Sequence, residues 1–434
     1  MRHVTQPLFQ YFPPRSPAIL LLLLLMTRIG WIVIYRAYAI EIKHSTASQE
    51  DMYENGEIAK NIVEGRGFSQ ADDSQLVRGP TAAKPPAYPY ILAGAKLIWG
   101  SSIQWPVRIF QAILTTCSIY IVGILFTNLF GQRIGALTIL LMTISPGLGK
   151  IDIYFENTAL TIFFSSLFFY FLWKTFKTEK WQASVQSGLF MGLMCLTNPS
   201  FLPCVPMVIG TLVYPHLKHR WKKALTILAV GGVVIFPWMT RNRLVLGKWI
   251  PINSNFGFNI WYGSNPTASG AMAQYGGGNI IIPDAVLKET ARMNELGRFS
   301  RFRELGIQYA KDHPRRFLTL RLKSFFYFWF TSRLWLGYGS GLDYVNVGYA
   351  FVLMTTAFVG FCRTWRIFPR ICFFWCLLFF SFSMVYTMTH ADSIDRYRLP
   401  LDPYLLGFSA LCFALPDMNI RSPWKELFRP TDSS

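Results

Sequence analysis

Charge is the scarcest commodity in this 434-residue chain: Asp, Glu, Lys and Arg together make up 15% of it. Ordinary globular chains carry about 25%. Hydrophobic residues reach 52% and aromatics 16%, and they fall in long blocks separated by short polar stretches. That distribution excludes one water-soluble core and points to many lipid-embedded spans. Acids are scarcer than bases, 23 against 42, for a net charge of +19. The bases sit in short clusters between apolar blocks, which the positive-inside rule explains and a nucleic-acid groove does not. The cysteines are few and badly placed for a disulfide framework. Cys117, Cys195, Cys204, Cys362, Cys372, Cys376 and Cys412 all lie within or beside apolar blocks. Cys372 and Cys376, one helical turn apart, read as packing residues rather than a metal or redox pair. A nucleotide-binding loop is also missing, since the run from Gly263 to Gly270 lacks the G-x-x-x-x-G-K-[ST] spacing.

A window of about 20 residues places spans near 17–37, 106–129, 134–149, 157–173, 185–199, 200–215, 223–240, 345–362, 371–389 and 400–416. The first follows Arg2 and Arg15, is too long for a signal-peptide core and has no small-residue cleavage site after it, so it reads as a retained span. Arg315, Arg316, Arg321, Lys323 and Arg333 interrupt the aromatic run at 316–337, which fits an amphipathic helix lying in the interface. The expected fold is therefore an all-α polytopic bundle of about ten spans, and up to thirteen if region 316–337 dips through. Lys174, Lys177 and Lys180, then Lys218 to Lys223, then Arg363, Arg366 and Arg370, mark the cytoplasmic side. Residues 1–16 and the basic tail 417–434 belong to that side, and 17–416 form one membrane domain. The long loops 38–105 and 241–344 and the short ones at 150–156 and 390–399 face outward.

The outward loops hold the chemistry. Ser48 and Asp51 have capping-box spacing, Met52, Asn55, Ile58, Ala59 and Ile62 recur at helical intervals, and Gly65 closes the helix. Glu50, Glu54, Glu57 and Glu64 then form its solvated side. Further on, Pro85, Pro86 and Pro89 fix the backbone around Lys84. An acid on one interfacial helix and a lysine on a rigid turn beside another would flank a lipid head group carrying a phosphate.

The run Asp51 to Ala59, Gly65-Arg66-Gly67-Phe68 and Lys84-Pro85-Pro86-x-Tyr88-Pro89 resembles the first outer loop of the GT-C glycosyltransferases. The branch is that of the protein O-mannosyltransferases and the lipid A aminoarabinose transferase. The chain departs from that pattern at Met52, where the family has glutamate, and at Asn55, where it has tyrosine; Tyr53 stands nearby. Further resemblances follow in order: Asp152 and Glu156 before a span, Leu196-Thr197-Asn198-Pro199, Pro237-Trp238-x-x-Arg241-Asn242, Gly263-Ser264-Asn265-Pro266 and Arg396-Tyr397-Arg398-Leu399-Pro400.

The resemblance implies an inverting transfer of sugar from a polyprenyl-phosphate donor to an acceptor hydroxyl. The setting would be the outer face of a bacterial inner membrane, with lipid, glycan or protein as acceptor. Asp51, on the family's catalytic aspartate, would take the acceptor's proton. Lys84, Arg241, Arg396 and Arg398 would meet the departing phosphate, where negative charge grows. Tyr53, Tyr88, Glu156, Asn265 and Tyr397 are candidate substrate contacts. A divalent metal ion on Asp51 and Glu156 is the one cofactor candidate. Tyr275-Gly276-Gly277-Gly278 reads as a hinge in the long outer loop. Competing classes are a lipid-linked-oligosaccharide flippase and an O-antigen-type polymerase. A transporter would place ionisable groups at mid-membrane and show repeated halves, and the sequence shows almost no such groups and no obvious repeat.

Overall fold

A computed structural model describes residues 17–42, 53–70, 79–178, 180–212, 220–272, 282–331, 333–337, 341–390 and 396–413. Expectations falling on Ser48, Glu50, Asp51, Met52, the hinge at 275–278 and the two termini lie outside those residues. The described residues are helical almost throughout. Helix α1 is Pro17–Ile42 and α2 is Tyr53–Val63, which is closed as expected by Gly65 at φ +78°. A two-residue antiparallel ribbon follows, β1 (Ser69–Gln70) against β2 (Gly79–Pro80), with Ser69 opposite Pro80. Next come α3 (Ala87–Trp99), α4 (Gln104–Phe130), α5 (Gln132–Ile144), α6 (Pro146–Gly149), α7 (Thr158–Thr178), α8 (Trp181–Thr197), α9 (Cys204–Leu212) and α10 (Arg220–Leu246). The long loop carries α11 (Phe256–Gly263), α12 (Asp284–Thr290) and α13 (Glu295–Asp312), and α14 (Pro314–Phe330), α15 (Gly341–Trp365), α16 (Pro369–Met388) and α17 (Asp402–Phe413) complete the order.

Among the described residues six helices are long and apolar enough to cross a membrane: α1, α4, α7, α10, α15 and α16. A seventh span arises if α5 and the segment Pro146–Asp152, bent by 58°, count as one. Within the described residues the remaining expected spans are shorter helices. The hairpin expected at 185–215 is broken by the Asn198–Pro199 step, where Asn198 Oδ1 accepts from Ser200 N at 3.0 Å and starts a single 3₁₀ turn. The described part of helix α17 covers 12 residues, and Asp402 to Leu411 are all buried. A helix apolar on every side belongs inside a bundle. It fits there because the backbones approach closely: a Cβ on Gly360 would lie 1.9 Å from Phe408 O, and one on Gly407 2.1 Å from the Phe126 ring. Phe126, Phe169, Trp375, Tyr404 and Phe408 make the aromatic centre of the core.

Helix α14 is not among the candidate spans. Leu318 and Leu322 are exposed while Leu320, Arg321, Ser324, Tyr327 and Phe328 are buried, the two-faced pattern of an interfacial helix.

Candidate active site

The site is assembled by three segments far apart in the chain: the turn after β2, the turn before α7, and the turn before α17. The first is clamped from two sides. Arg241, on α10, donates to Thr81 O and to Phe68 O, each at 2.7 Å, and its guanidinium lies over the rings of Phe68 and Trp238. From the long loop, Glu295 Oε1 accepts from Ala82 N at 3.0 Å and from Ser254 Oγ, while Ser254 N donates to Ala82 O at 2.9 Å. Ala83 then packs with Trp261, Tyr262, Phe299 and Phe302. Lys84 leaves this clamp just before the two prolines that start α3.

The second segment rests on one face of α4. Arg108, Gln111 and Thr115 recur at i, i+3 and i+7, so they share one stripe. All three are buried. Arg108 Nε donates to Ile153 O at 3.4 Å with its guanidinium over the Phe155 ring. Gln111 Nε2 donates to Asp152 O (3.2 Å) and Tyr154 O (3.1 Å), and its Oε1 accepts from Tyr88 OH at 2.5 Å. Thr115 Oγ1 donates to Asp152 Oδ1 at 2.7 Å, and Arg28 of α1 pairs with Asp152 Oδ2 at 2.6 Å. Sequence reading missed this stripe and the Arg28–Asp152 pair. The available signal was polar residues at helical spacing in an otherwise apolar span.

The third segment brings Arg396 to Glu156, with Nη1 2.6 Å from Oε1. The guanidinium also lies over the Tyr397 ring at 5.3 Å. Tyr397 stacks on Tyr386 with centroids 4.3 Å apart, and Tyr386 OH accepts from Ser200 Oγ at 2.9 Å. The Thr197-Asn198-Pro199 break therefore supports the site from behind. His390 stands between Tyr397 and Tyr262. Arg321 locks the same end of α16 to the long loop by donating to Thr389 O at 2.7 Å and to Gly263 O. Burial lowers the Arg321 pKa to about 10. Only glycine fits at 263, since a Cβ there would fall 1.6 Å from Thr389 O.

Lys84, Glu156 and Arg396 act on one another electrostatically. Burial pushes the Lys84 pKa down to about 8, Glu156 opposes that shift and Arg396 adds to it. Burial, and then Glu156, raise the Tyr88 hydroxyl well above the usual phenol range, so Tyr88 serves as a neutral donor.

The expected site residues thus divide. Lys84, Tyr88, Glu156, Arg396 and Tyr397 converge. Arg241 stands beside them but directs its guanidinium to Phe68 and Thr81 carbonyls. Arg398 is buried away from the mouth: it pairs with Asp402 at 3.0 Å and donates to Trp329 O at 2.5 Å. Asn265 sits within its own turn, with Nδ2 donating to Trp261 O and Tyr262 O and Oδ1 accepting from the Thr267 amide and hydroxyl. Tyr53 opens α2, and its side chain lies outside the described set, as does Asp51. Among the described residues no three His, Cys, Asp or Glu side chains gather as a metal site.

Residues 83–240, from the clamp to the last turns of α10, match the family model for dolichyl-phosphate-mannose-protein mannosyltransferase. The match covers less than half of the chain. No curated protein matches the chain in sequence. Among solved structures, the chain is similar to the archaeal oligosaccharyltransferase AglB from Archaeoglobus fulgidus, in complex with an inhibitory peptide and a dolichol-phosphate. Identity there is 12% and the TM-score 0.44, over 89% of this chain and 50% of that one. It is also similar to apo ArnT from Cupriavidus metallidurans, at 18% identity and TM-score 0.38, over 88% of this chain and 78% of that one. The chain spans about half the length of the archaeal protein. Lys84 and Arg396, two cations gathered at one end of the bundle, suit an anionic ligand.

Proposed function

We propose that this protein is a glycosyltransferase, which moves a sugar from a polyprenyl-phosphate donor to an acceptor hydroxyl at the outer face of a bacterial cytoplasmic membrane. The observation that carries the reading is the convergence of Lys84 and Arg396 with Tyr88 and Glu156. Lys84 supplies a point charge and Arg396 a planar fork for the phosphate. Their charge is present before reaction, in a partly desolvated place, where it favours the developing negative charge without reorganising. Tyr88, its hydroxyl proton donated to Gln111, stays neutral near Glu156. Asp51 is the base of this scheme: it takes the acceptor's proton while the acceptor oxygen attacks the anomeric carbon from the face opposite the phosphate, with inversion. Tyr397 and Tyr53 serve as substrate contacts, and lipid, glycan or protein hydroxyls are the acceptor classes.

The test is release of polyprenyl phosphate from polyprenyl-phosphate-mannose by the detergent-solubilised chain, supplied with membrane extract as acceptor. Lys84→Gln is expected to slow release by about 100-fold, the scale of losing one charge-stabilising group, with the protein still folded. Wild-type turnover in Lys84→Gln would defeat the phosphate assignment.

A further inference from the structure

The anion site contains an anion of its own. Glu156 lies 2.6 Å from Arg396, and both side chains are partly open, at 26% and 30% exposure, so a ligand can reach the pair. The turn that carries Glu156 is fixed by Gln111 through Asp152 O and Tyr154 O, which makes the carboxylate a placed charge. A half-exposed ion pair of this kind adds little to stability, typically about 0–1 kcal/mol. Its larger effect is on the local potential: with Lys84 protonated, Lys84 and Arg396 against Glu156 leave one net positive charge.

We propose that Glu156 matches this site to a monoanionic phosphodiester and disfavours the more highly charged monoester left after transfer. The inference rests on the polyprenyl-phosphate reading above. In the donor the phosphorus bears one ionised oxygen, because the lipid and the sugar esterify two others. On transfer the bond between the anomeric carbon and the phosphate oxygen breaks, and its electron pair stays on that oxygen. A new bond forms from the acceptor oxygen to the anomeric carbon, and the acceptor's proton goes to the base. The phosphate is then a monoester, which carries about −1.5 to −2 near pH 7. The added charge meets the Glu156 carboxylate, and that repulsion expels the product while leaving the donor bound. Glu156 thus acts on selectivity between donor and product, with Lys84 and Arg396 supplying the attraction common to both. The coupling of Lys84 to both Glu156 and Arg396 shows that the three charges share one field.

The experiment compares two lipids of equal length, farnesyl phosphate and its methyl phosphodiester, binding to the purified full chain in detergent at pH 7.5. In Glu156→Gln the monoester should bind about tenfold tighter than in wild type, and the diester by less than about threefold, since an unscreened unit charge acts about twice as strongly on a dianion. Glu156→Asp, which keeps the charge, should preserve the wild-type ratio, and this second variant separates charge from shape. Equal tightening of both lipids, or weaker monoester binding in Glu156→Gln, would overturn the charge matching alone. Failure of wild type to bind either lipid would overturn the polyprenyl-phosphate reading and this inference with it.

Discussion

Lys84 is the residue whose chemistry is most exposed to experiment. Its pKa of about 8 comes first from burial, which disfavours the ammonium, with Glu156 acting in the other direction and Arg396 reinforcing the burial. A lowered lysine pKa means the positive charge is present below about pH 8 and is lost above it. Donor KM is therefore expected to be flat from pH 6.5 to 7.5 and to rise about tenfold per unit above pH 8, as binding requires the protonated form. Lys84→Arg, whose side chain stays charged, should flatten that rise; an unchanged profile in this variant would assign the pH dependence to another group. Residue by residue, the sequence announced Lys84, Glu156 and Arg396 because proline turns and span ends frame them. It did not announce what Arg241, Arg398 and Asn265 bond to. Each of these looks like a loop polar group in one dimension, and each is engaged by backbone or by Asp402 only once the chain is folded.

At the scale of elements, the stripe Arg108–Gln111–Thr115 turns an apolar helix into a positioning device. Gln111 holds both Tyr88 and the backbone before Glu156, so α4 sets the spacing between the two charged turns. Gln111→Leu would leave the Tyr88 hydroxyl and two carbonyls without these partners in a buried setting, at about 1–3 kcal/mol for each unsatisfied group. The expected result is a melting temperature in detergent lower by several degrees and a donor KM raised severalfold. If the variant keeps the wild-type melting temperature and KM, the stripe has no such role. Window averaging explains why this was not legible: α4 is apolar enough on average to cross a membrane, and a few polar side chains do not stand out in such a mean. The long helices, the Gly65 stop on α2 and the two-faced α14 were legible for the opposite reason, since each rests on local pattern. The burial of α17 depends on what surrounds it, so it could not be read from its own residues.

For the molecule as a whole, the three site segments meet although long helices separate them in the chain, so their loops share one end of the bundle. The opposite end collects the basic turns; there Arg363 donates to Cys412 O at 2.7 Å and ties the ends of α15 and α17 together. The excess of bases at that end would keep it cytoplasmic, and the site would then face outward. Two exposed positions test this. Lys288 lies on α12 in the long loop, and Arg133 lies at the tight turn between α4 and α5. In intact cells, with exposed Cys362 and Cys376 first replaced by serine, a membrane-impermeant maleimide should label Lys288→Cys and leave Arg133→Cys unlabelled until the membrane is permeabilised. The reverse pattern would put Lys84, Glu156 and Arg396 in the cytoplasm. A transferase using outward-facing lipid-linked sugar could not work from that side, so one labelling experiment decides both the orientation and the compartment of the chemistry.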